Sequence, residues 1–188
     1  SSGCVYGGFP VQPLREEYGP LQPISLYGAA KLGGEAMIAA YSHLFGLRAF
    51  AFRFGNVVGD RMGCGVIHDF IHKLDRDRQH LEILGDGRQE KDYILVEDVI
   101  DGMFHGLAHS PKQYDVFNLG SGISTNVTRL AEIVAEVLGL HDVEFRYTGG
   151  DRGWSGDQPI IRYDVSKLAA LGDVYVNDAF GTAHRAEA

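Results

Sequence analysis

The 188-residue chain carries 17 Lys+Arg against 25 Asp+Glu, a formal net charge of −8, with 45% hydrophobic and 22% charged residues. Its sequence pI is near 5.4. This balance excludes a chain disordered along its length, and the acidic surplus argues against a general nucleic-acid binder. No apolar run approaches the roughly 20 residues of a membrane helix. Two cysteines, Cys4 and Cys64, without a CxxC pair, exclude a disulfide scaffold and a thiolate zinc cluster. The opening SSGCVYGG has no leader pattern, so a reducing cytoplasm is the expected setting.

In chain order, Val5-Tyr6 followed by Gly7-Gly8 reads as the end of a buried strand running into a loop that holds Pro10, Pro13, Pro20 and Pro23. Helical periodicity begins near Ser25: Leu26, Ala29, Ala30, Gly33, Met37, Ala40, Tyr41 and Leu44 recur at three- and four-residue spacing, and Gly46 is the expected C-cap. Residues 48–54 alternate like a strand. A second amphipathic helix is expected from Val66 to Leu74, a short strand at 81–84 and a turn at 85–87. Tyr93 to Val96 is apolar and precedes a helix from Glu97 to His109. Val116 to Leu119 reads as a strand ending in Gly120-Ser121-Gly122. Thr125 or Asn126 caps a helix that reaches Leu138 and stops at Gly139. A strand at 143–147, a glycine-rich loop at 149–156 and a short helix from Ser166 to Leu171 follow. Alternating strands and helices predict an α/β architecture.

The sharpest chemical signal is Tyr27-Gly28-Ala29-Ala30-Lys31. Tyr27 and Lys31 are four apart and share one helix face. A phenol ordinarily titrates near pH 10, and an adjacent ammonium favours its phenolate, which suits Tyr27 to general acid/base work near neutrality. Ser2 is the candidate hydroxyl to hold the substrate oxygen. Taken alone, Tyr-x-x-x-Lys arises by chance on many helices.

It stands in a series. Ser2-Gly3-Cys4-Val5-Tyr6-Gly7 precedes it, with Glu16-Glu17 among the intervening prolines. Arg53-Phe54-Gly55-Asn56-Val57-Val58-Gly59 follows it, then the run Gly85-Asp86-Gly87-Arg88-Gln89-Glu90-Lys91-Asp92-Tyr93-Ile94. Glu97-Asp98-Val99, Phe117-Asn118-Leu119-Gly120-Ser121-Gly122 and Asp164-Val165-Ser166-Lys167-Leu168 complete it. In this ordered set the chain resembles the extended short-chain dehydrogenase/reductase proteins, specifically the NAD-dependent sugar-nucleotide epimerases and dehydratases, over residues 1–172.

The resemblance implies a partial Rossmann-type parallel sheet lacking its N-terminal strands, joined to the family's substrate-binding part. It implies that Ser2 hydrogen-bonds the reacting sugar oxygen, Tyr27 exchanges its proton, and Lys31 tunes Tyr27 and holds the nicotinamide ribose of NAD. Asn56, Lys91 and Arg152 then bind the sugar nucleotide, Arg152 at its diphosphate. Lys91 stands where an Arg is usual and replaces a planar fork with a point charge. The family's opening glycine-rich βαβ turn has no counterpart: Gly63-Cys64-Gly65 and Gly120-Ser121-Gly122 do not extend to G-x-x-G-x-x-G. Weak or no NAD binding is therefore expected. A parallel sheet without its first strands leaves an apolar face uncovered, so a homo-oligomer or a repacked domain is also expected.

Residues 173–188 form a separate segment. Asp173 to Ala186 resembles a stretch of phosphoglycerate kinase, in which Arg185 would match a substrate-facing Arg, and it reads as a fused, frayed or disordered tail. Eight histidines invite a rival chemistry. His68 with His72, and His105 with His109, have the i,i+4 spacing of paired metal ligands, with Asp69, Asp75 or Asp101 as a third. Such pairs are more often solvated or packed, and neither has the Glu of H-E-x-x-H. A metal-dependent or cofactor-free sugar hydrolase, with carboxylates drawn from Glu16, Glu17, Asp86 and Asp92, is the alternative enzyme. An inactive oligomeric fragment is the third reading.

Overall fold

The structure is a computed structural model that describes residues 1–8 and 12–172. The tail at 173–188, with Arg185, lies outside the described residues. The chain divides into two compact units. The first comprises Ser1–Val58, Asp92–Ser124 and the chain from Ile161; the second comprises Gly59–Lys91 and Thr125–Ile160.

In the first unit the opening segment forms a 3-10 turn, Gly3–Tyr6, rather than a strand end. It pairs through isolated parallel bridges, Ser2 to Phe54 and Gly7 to Gln22. The Ser2 hydroxyl caps the turn by accepting from the Cys4 N–H at 3.3 Å, which turns the backbone out of the extended path. Helix α1 (Leu26–Phe45) starts where Ser25 Oγ accepts from the Gly28 N–H at 3.1 Å and ends at Gly46, left-handed with φ 68°. Strand β1 (Ala49–Phe54) and the three-residue β2 (Asn56–Val58) follow. The end of β4 (Glu90–Leu95), α3 (Val96–His109) and β5 (Tyr114–Leu119) come next. Short α5 (Ser166–Ala169) closes the described chain.

Strand β1 pairs in parallel with β5 from Ala49 opposite Tyr114 to Phe54 opposite Leu119. β2 pairs in parallel with β4 at Asn56–Tyr93 to Val58–Leu95. The parallel pairing expected from the resemblance is therefore present, divided between two small sheets. Their aromatic strands fill one core, in which Phe52, Ile94, Val99, Phe117, Leu119 and Leu168 are buried together. The Phe52 and Phe117 rings lie 5.9 Å apart. Helix α3 comes close because Gly102 and Gly106 lack side chains: a Cβ on Gly102 would stand 2.7 Å from Leu119 Cδ2.

The second unit contains α2 (Val66–Arg76), β3 (His80–Ile83), α4 (Val127–Val137) and β7 (Glu144–Tyr147). β3 runs parallel to β7, with His80 opposite Glu144 and Ile83 opposite Tyr147. Phe70 and Leu74, one turn apart, meet Leu81, Ile83, Val127, Ala131, Val134 and Ala135 in a separate core. Asn126 caps α4 through the Arg129 N–H at 2.7 Å, and Gly139 follows its end with φ 68°. The two strands the sequence does not announce, β2 and β6 (Ser124–Asn126), are three residues each, too short to show alternation.

The apolar stripe that marks α1 in the sequence faces outward. Leu26 is 91% exposed, Met37 62%, Leu44 71% and Phe45 65%. The residues α1 buries are Gly28, Glu35 and Ser42, seven apart. Among the described residues no helix is long and apolar enough to cross a membrane.

Candidate active site

Four of the six residues assigned to catalysis and substrate binding, Ser2, Tyr27, Lys31 and Asn56, belong to the first unit. Tyr27 is half-exposed near the start of α1, and Lys31 Nζ stands 5.4 Å from its ring centroid. One turn of helix thus puts a phenol and an ammonium side by side at the surface. What seats this turn is Gly28. A Cβ there would meet the Cys4 carbonyl oxygen at 2.6 Å and Pro23 Cβ at 3.0 Å. The bare glycine lets α1 lie directly on the turn that Ser2 caps. The motif Tyr-Gly-Ala-Ala-Lys already contains this residue, and its signal in the sequence is a glycine where helix propensity favours alanine.

Beneath the site lies a buried polar network whose key members, Glu35, Arg53 and Asn118, sequence reasoning did not assign a role. Glu35, one turn beyond Lys31, receives two hydrogen bonds from Arg53 on β1, at 3.0 and 2.8 Å. Their side chains are only 6% and 4% exposed. The Arg53 guanidinium also lies 4.6 Å from the Tyr6 ring centroid and donates to the Glu16 carbonyl. The Tyr6 hydroxyl donates to Asn118 Oδ1 at 2.6 Å. The Asn118 N–H donates to the Glu16 carboxylate at 2.8 Å. Burial alone would lower the Arg53 pKa; the hydrogen bonds that Arg53 donates to Glu35, with the neighbouring Tyr6, outweigh it and hold Arg53 firmly charged. Burial pushes the Tyr6 phenol up to about 12, against the pull of Arg53, and fixes Tyr6 as a neutral donor. Burial also raises the Glu16 carboxyl, opposed by the Asn118 amide. This network ties the turn after Ser2, the loop at 14–16, helix α1 and strands β1 and β5 into one arrangement.

Asn56 is exposed at the start of β2. Gly55 places it, since a Cβ on Gly55 would reach the Asp92 carbonyl at 2.9 Å and the Tyr163 ring at 3.3 Å. Asp92 is almost fully buried and accepts from the Ser121 N–H, the Ser121 hydroxyl and the Gly122 N–H at 2.7, 3.0 and 2.9 Å. Burial raises its carboxyl to about 6, opposed by those three donors.

The other two, Lys91 and Arg152, belong to the second unit. Lys91 Nζ contacts Asp157 Oδ1 at 2.7 Å and the Gln158 carbonyl. Arg152, half-buried in the glycine-rich loop, has its Nε 3.7 Å from Asp151 Oδ2.

The metal alternative is corrected by the geometry. His68 and His72 bring their Nε2 atoms to 3.0 Å, yet Asp69, a candidate third ligand, is paired with Lys73 at 2.9 Å. His105 and His109 stack at 4.2 Å, and His109 Nδ1 lies 3.0 Å from the His105 carbonyl. Among the described residues no group of three or more His, Cys, Asp or Glu is placed to hold an ion. The hydrolase reading finds no support either, and three of its four candidate carboxylates have structural partners. Glu16 and Asp92 accept structural hydrogen bonds, and Asp86 caps its own turn by accepting from the Arg88 N–H at 2.9 Å.

Comparison with known proteins agrees with the geometry. Residues 1–120 match the family described as NAD dependent epimerase/dehydratase; residues 135–188 also match phosphoglycerate kinase, weakly. The chain is 32% identical to a "Putative UDP-glucose 4-epimerase" of Methanocaldococcus jannaschii over 92% of its own length and 55% of that protein. Among solved structures, a UDP-galactose 4-epimerase superposes with a TM-score of 0.80 at 40% identity, covering 91% of this chain and 54% of that one. MoeE5 in complex with UDP-glucuronic acid and NAD superposes with a TM-score of 0.81 at 26% identity, covering 96% and 59%. The chain spans about half the length of the proteins it matches. With its parallel sheet, its Tyr27–Lys31 turn and its match over residues 1–120, this chain belongs to the NAD dependent epimerase/dehydratase family.

Proposed function

We propose that this chain carries the proton-exchanging and substrate-holding part of a sugar-nucleotide epimerase or dehydratase that acts on a nucleoside-diphosphate sugar. The observation that carries the reading is the turn of α1 that sets Lys31 5.4 Å from the Tyr27 ring while Gly28 seats it on the segment capped by Ser2. Tyr27 takes the proton from the reacting sugar hydroxyl and later returns it. Ser2, whose oxygen already accepts from the Cys4 N–H, still has its own O–H to donate to the sugar oxygen. Lys31 holds the nicotinamide ribose and supplies positive charge beside the phenol. Asn56, exposed at the start of β2, contacts the sugar nucleotide, Arg152 serves its diphosphate, and Lys91 supports substrate binding. NAD, when bound, supplies the hydride acceptor and donor that this chemistry needs. The residues present fit its nicotinamide-ribose end, where Tyr27 and Lys31 lie side by side. Residues 173–188 have no part in this reading, and the cytoplasm remains its expected setting.

The test is interconversion of UDP-glucose and UDP-galactose by the full chain with added NAD. Tyr27→Phe is expected to abolish turnover while UDP binding, followed by calorimetry, stays within about twofold. Turnover that survives Tyr27→Phe would rule out the Tyr/Lys mechanism. NAD binding to the chain alone is expected to be weak, so turnover is measured with NAD in large excess, and micromolar affinity by calorimetry would contradict that expectation. The exposed Leu26, Met37, Tyr41, Leu44 and Phe45 of α1 support burial of this face against a second copy. Light scattering after gel filtration checks it, and a strictly monomeric mass speaks against it.

A further inference from the structure

We propose that Lys91 acts as a positioning residue that tethers the loop carrying Arg152, and that it does not itself ligate the diphosphate. The ligand in this statement rests on the sugar-nucleotide reading; the tether rests on the second unit's own geometry. Lys91 is the second residue of β4, and its side chain is only 12% exposed. Its ammonium sits 2.7 Å from Asp157 Oδ1 and donates to the Gln158 carbonyl. The other Asp157 oxygen accepts from the Gly153 N–H at 3.1 Å, and the Asp157 N–H donates to the Trp154 carbonyl at 3.0 Å. Next to Lys91, the Glu90 N–H donates to the Pro159 carbonyl at 2.8 Å, and Glu90 forms a parallel bridge with Ile160. An unbroken path therefore runs from Lys91 through the Asp157 carboxylate to Gly153, the residue immediately after Arg152.

Charge decides the role. An ammonium has three donors, and Asp157 and Gln158 occupy two. A phosphate bound directly to Lys91 would sit beside the Asp157 carboxylate, like charge against like charge, or would have to displace it and strand a largely buried carboxylate. Both are costly. A lysine suits the tether better than the arginine usual at this position, because its compact charge needs no planar partner. The tether holds the backbone next to Arg152, the cation that the sugar-nucleotide reading gives to the diphosphate.

The experiment is calorimetric titration with UDP, paired with hydrogen exchange across residues 151–158, on the full chain and on Lys91→Met, Asp157→Asn, the double variant and Lys91→Arg. Lys91→Met and Asp157→Asn are each expected to speed exchange of the 153–158 amides and to weaken UDP binding, both by about tenfold. The double variant is expected to be no weaker than either single one, because one path is cut. Lys91→Arg keeps the charge and is expected to hold exchange within about twofold of the parent, which separates loss of the tether from misfolding. Tighter UDP binding in Asp157→Asn would overturn the proposal, since it would mean that freeing Lys91 frees a ligand. Weaker UDP binding in Lys91→Met with unchanged loop exchange would overturn it too. If the parent binds no UDP while the exchange responds, the tether is upheld and the sugar-nucleotide reading fails.

Discussion

Helices α1 and α4 solve the same problem in opposite ways. α4 turns Val127, Ala131, Val134 and Ala135 into its unit's interior and is held by apolar burial. α1 leaves Leu26, Met37, Leu44 and Phe45 in solvent and buries Gly28, Glu35 and Ser42. It is held by the ion pair from Glu35 to Arg53, by the Ser42 hydroxyl donating to the Leu47 carbonyl at 2.6 Å, and by close backbone approach at Gly28. Apolar contacts are non-directional and fix a helix loosely about its axis. Paired charges and a glycine contact fix its rotation and its register. The second arrangement sets the rotation at which Tyr27 and Lys31 stand side by side.

The contrast can be broken most sharply at the buried charges. Glu35→Leu leaves Arg53 uncompensated and is expected to destabilise the first unit by ~3–5 kcal/mol, whereas Glu35→Leu with Arg53→Met is expected to recover most of that loss; urea unfolding followed by tyrosine fluorescence measures both. The matching cut in the second unit, Phe70→Ala, is expected to cost a similar ~3–5 kcal/mol through the cavity it leaves. No partner substitution of the Arg53→Met kind is expected to restore it. Full recovery of Phe70→Ala by a neighbouring polar change would undo the distinction.

Acid sharpens the comparison. The Asp92 carboxyl is raised in the folded state to about 6 from an ordinary 3.8, so the native chain holds a proton that the unfolded chain has released. Stability from this group is therefore full below about pH 4 and declines as pH rises to about 6, by on the order of 2–3 kcal/mol. Asp92→Asn does not titrate, so its stability relative to the parent is expected to improve steadily over that window. A flat difference in urea midpoint from pH 4 to 7 would contradict the assignment.

Smaller effects follow at the helix surfaces. Gly28→Ala pushes α1 off the 3–6 turn and is expected to cost ~1–3 kcal/mol by overpacking. It should also remove turnover more completely than it removes stability, because Tyr27 and Ser2 separate. Leu44→Ala on the exposed face of α1 is expected to change the stability of the monomer by less than ~0.5 kcal/mol, while shifting any oligomer toward monomer in a concentration series.

Much of this was legible in the chain itself. Local rules act over a few residues, so Ser25, Gly46, Asn126 and Gly139 mark their helix ends in the sequence and in the structure alike. The Tyr27–Lys31 pair was legible because helical spacing alone puts residues four apart on one face. The opening segment was misread because Val5 and Tyr6 are buried like strand residues, while a single cap from the Ser2 hydroxyl, which composition does not reveal, bends them into a 3-10 turn. The histidine pairs illustrate the converse. Spacing brought two rings together, but a metal site needs a third ligand from elsewhere in the chain, and Asp69 is taken by Lys73.

By itself the sequence determined the alternation of elements, their caps and the pairing of phenol with ammonium, since each depends only on near neighbours along the chain. Tertiary structure decided which side of α1 is buried, how Glu35, Arg53, Tyr6 and Asn118 join, and that Lys91 meets Asp157. Those contacts link residues from 18 to 112 positions apart. No local rule selects one distant partner among many; the chain fixes them only by burying charges that must find their complements.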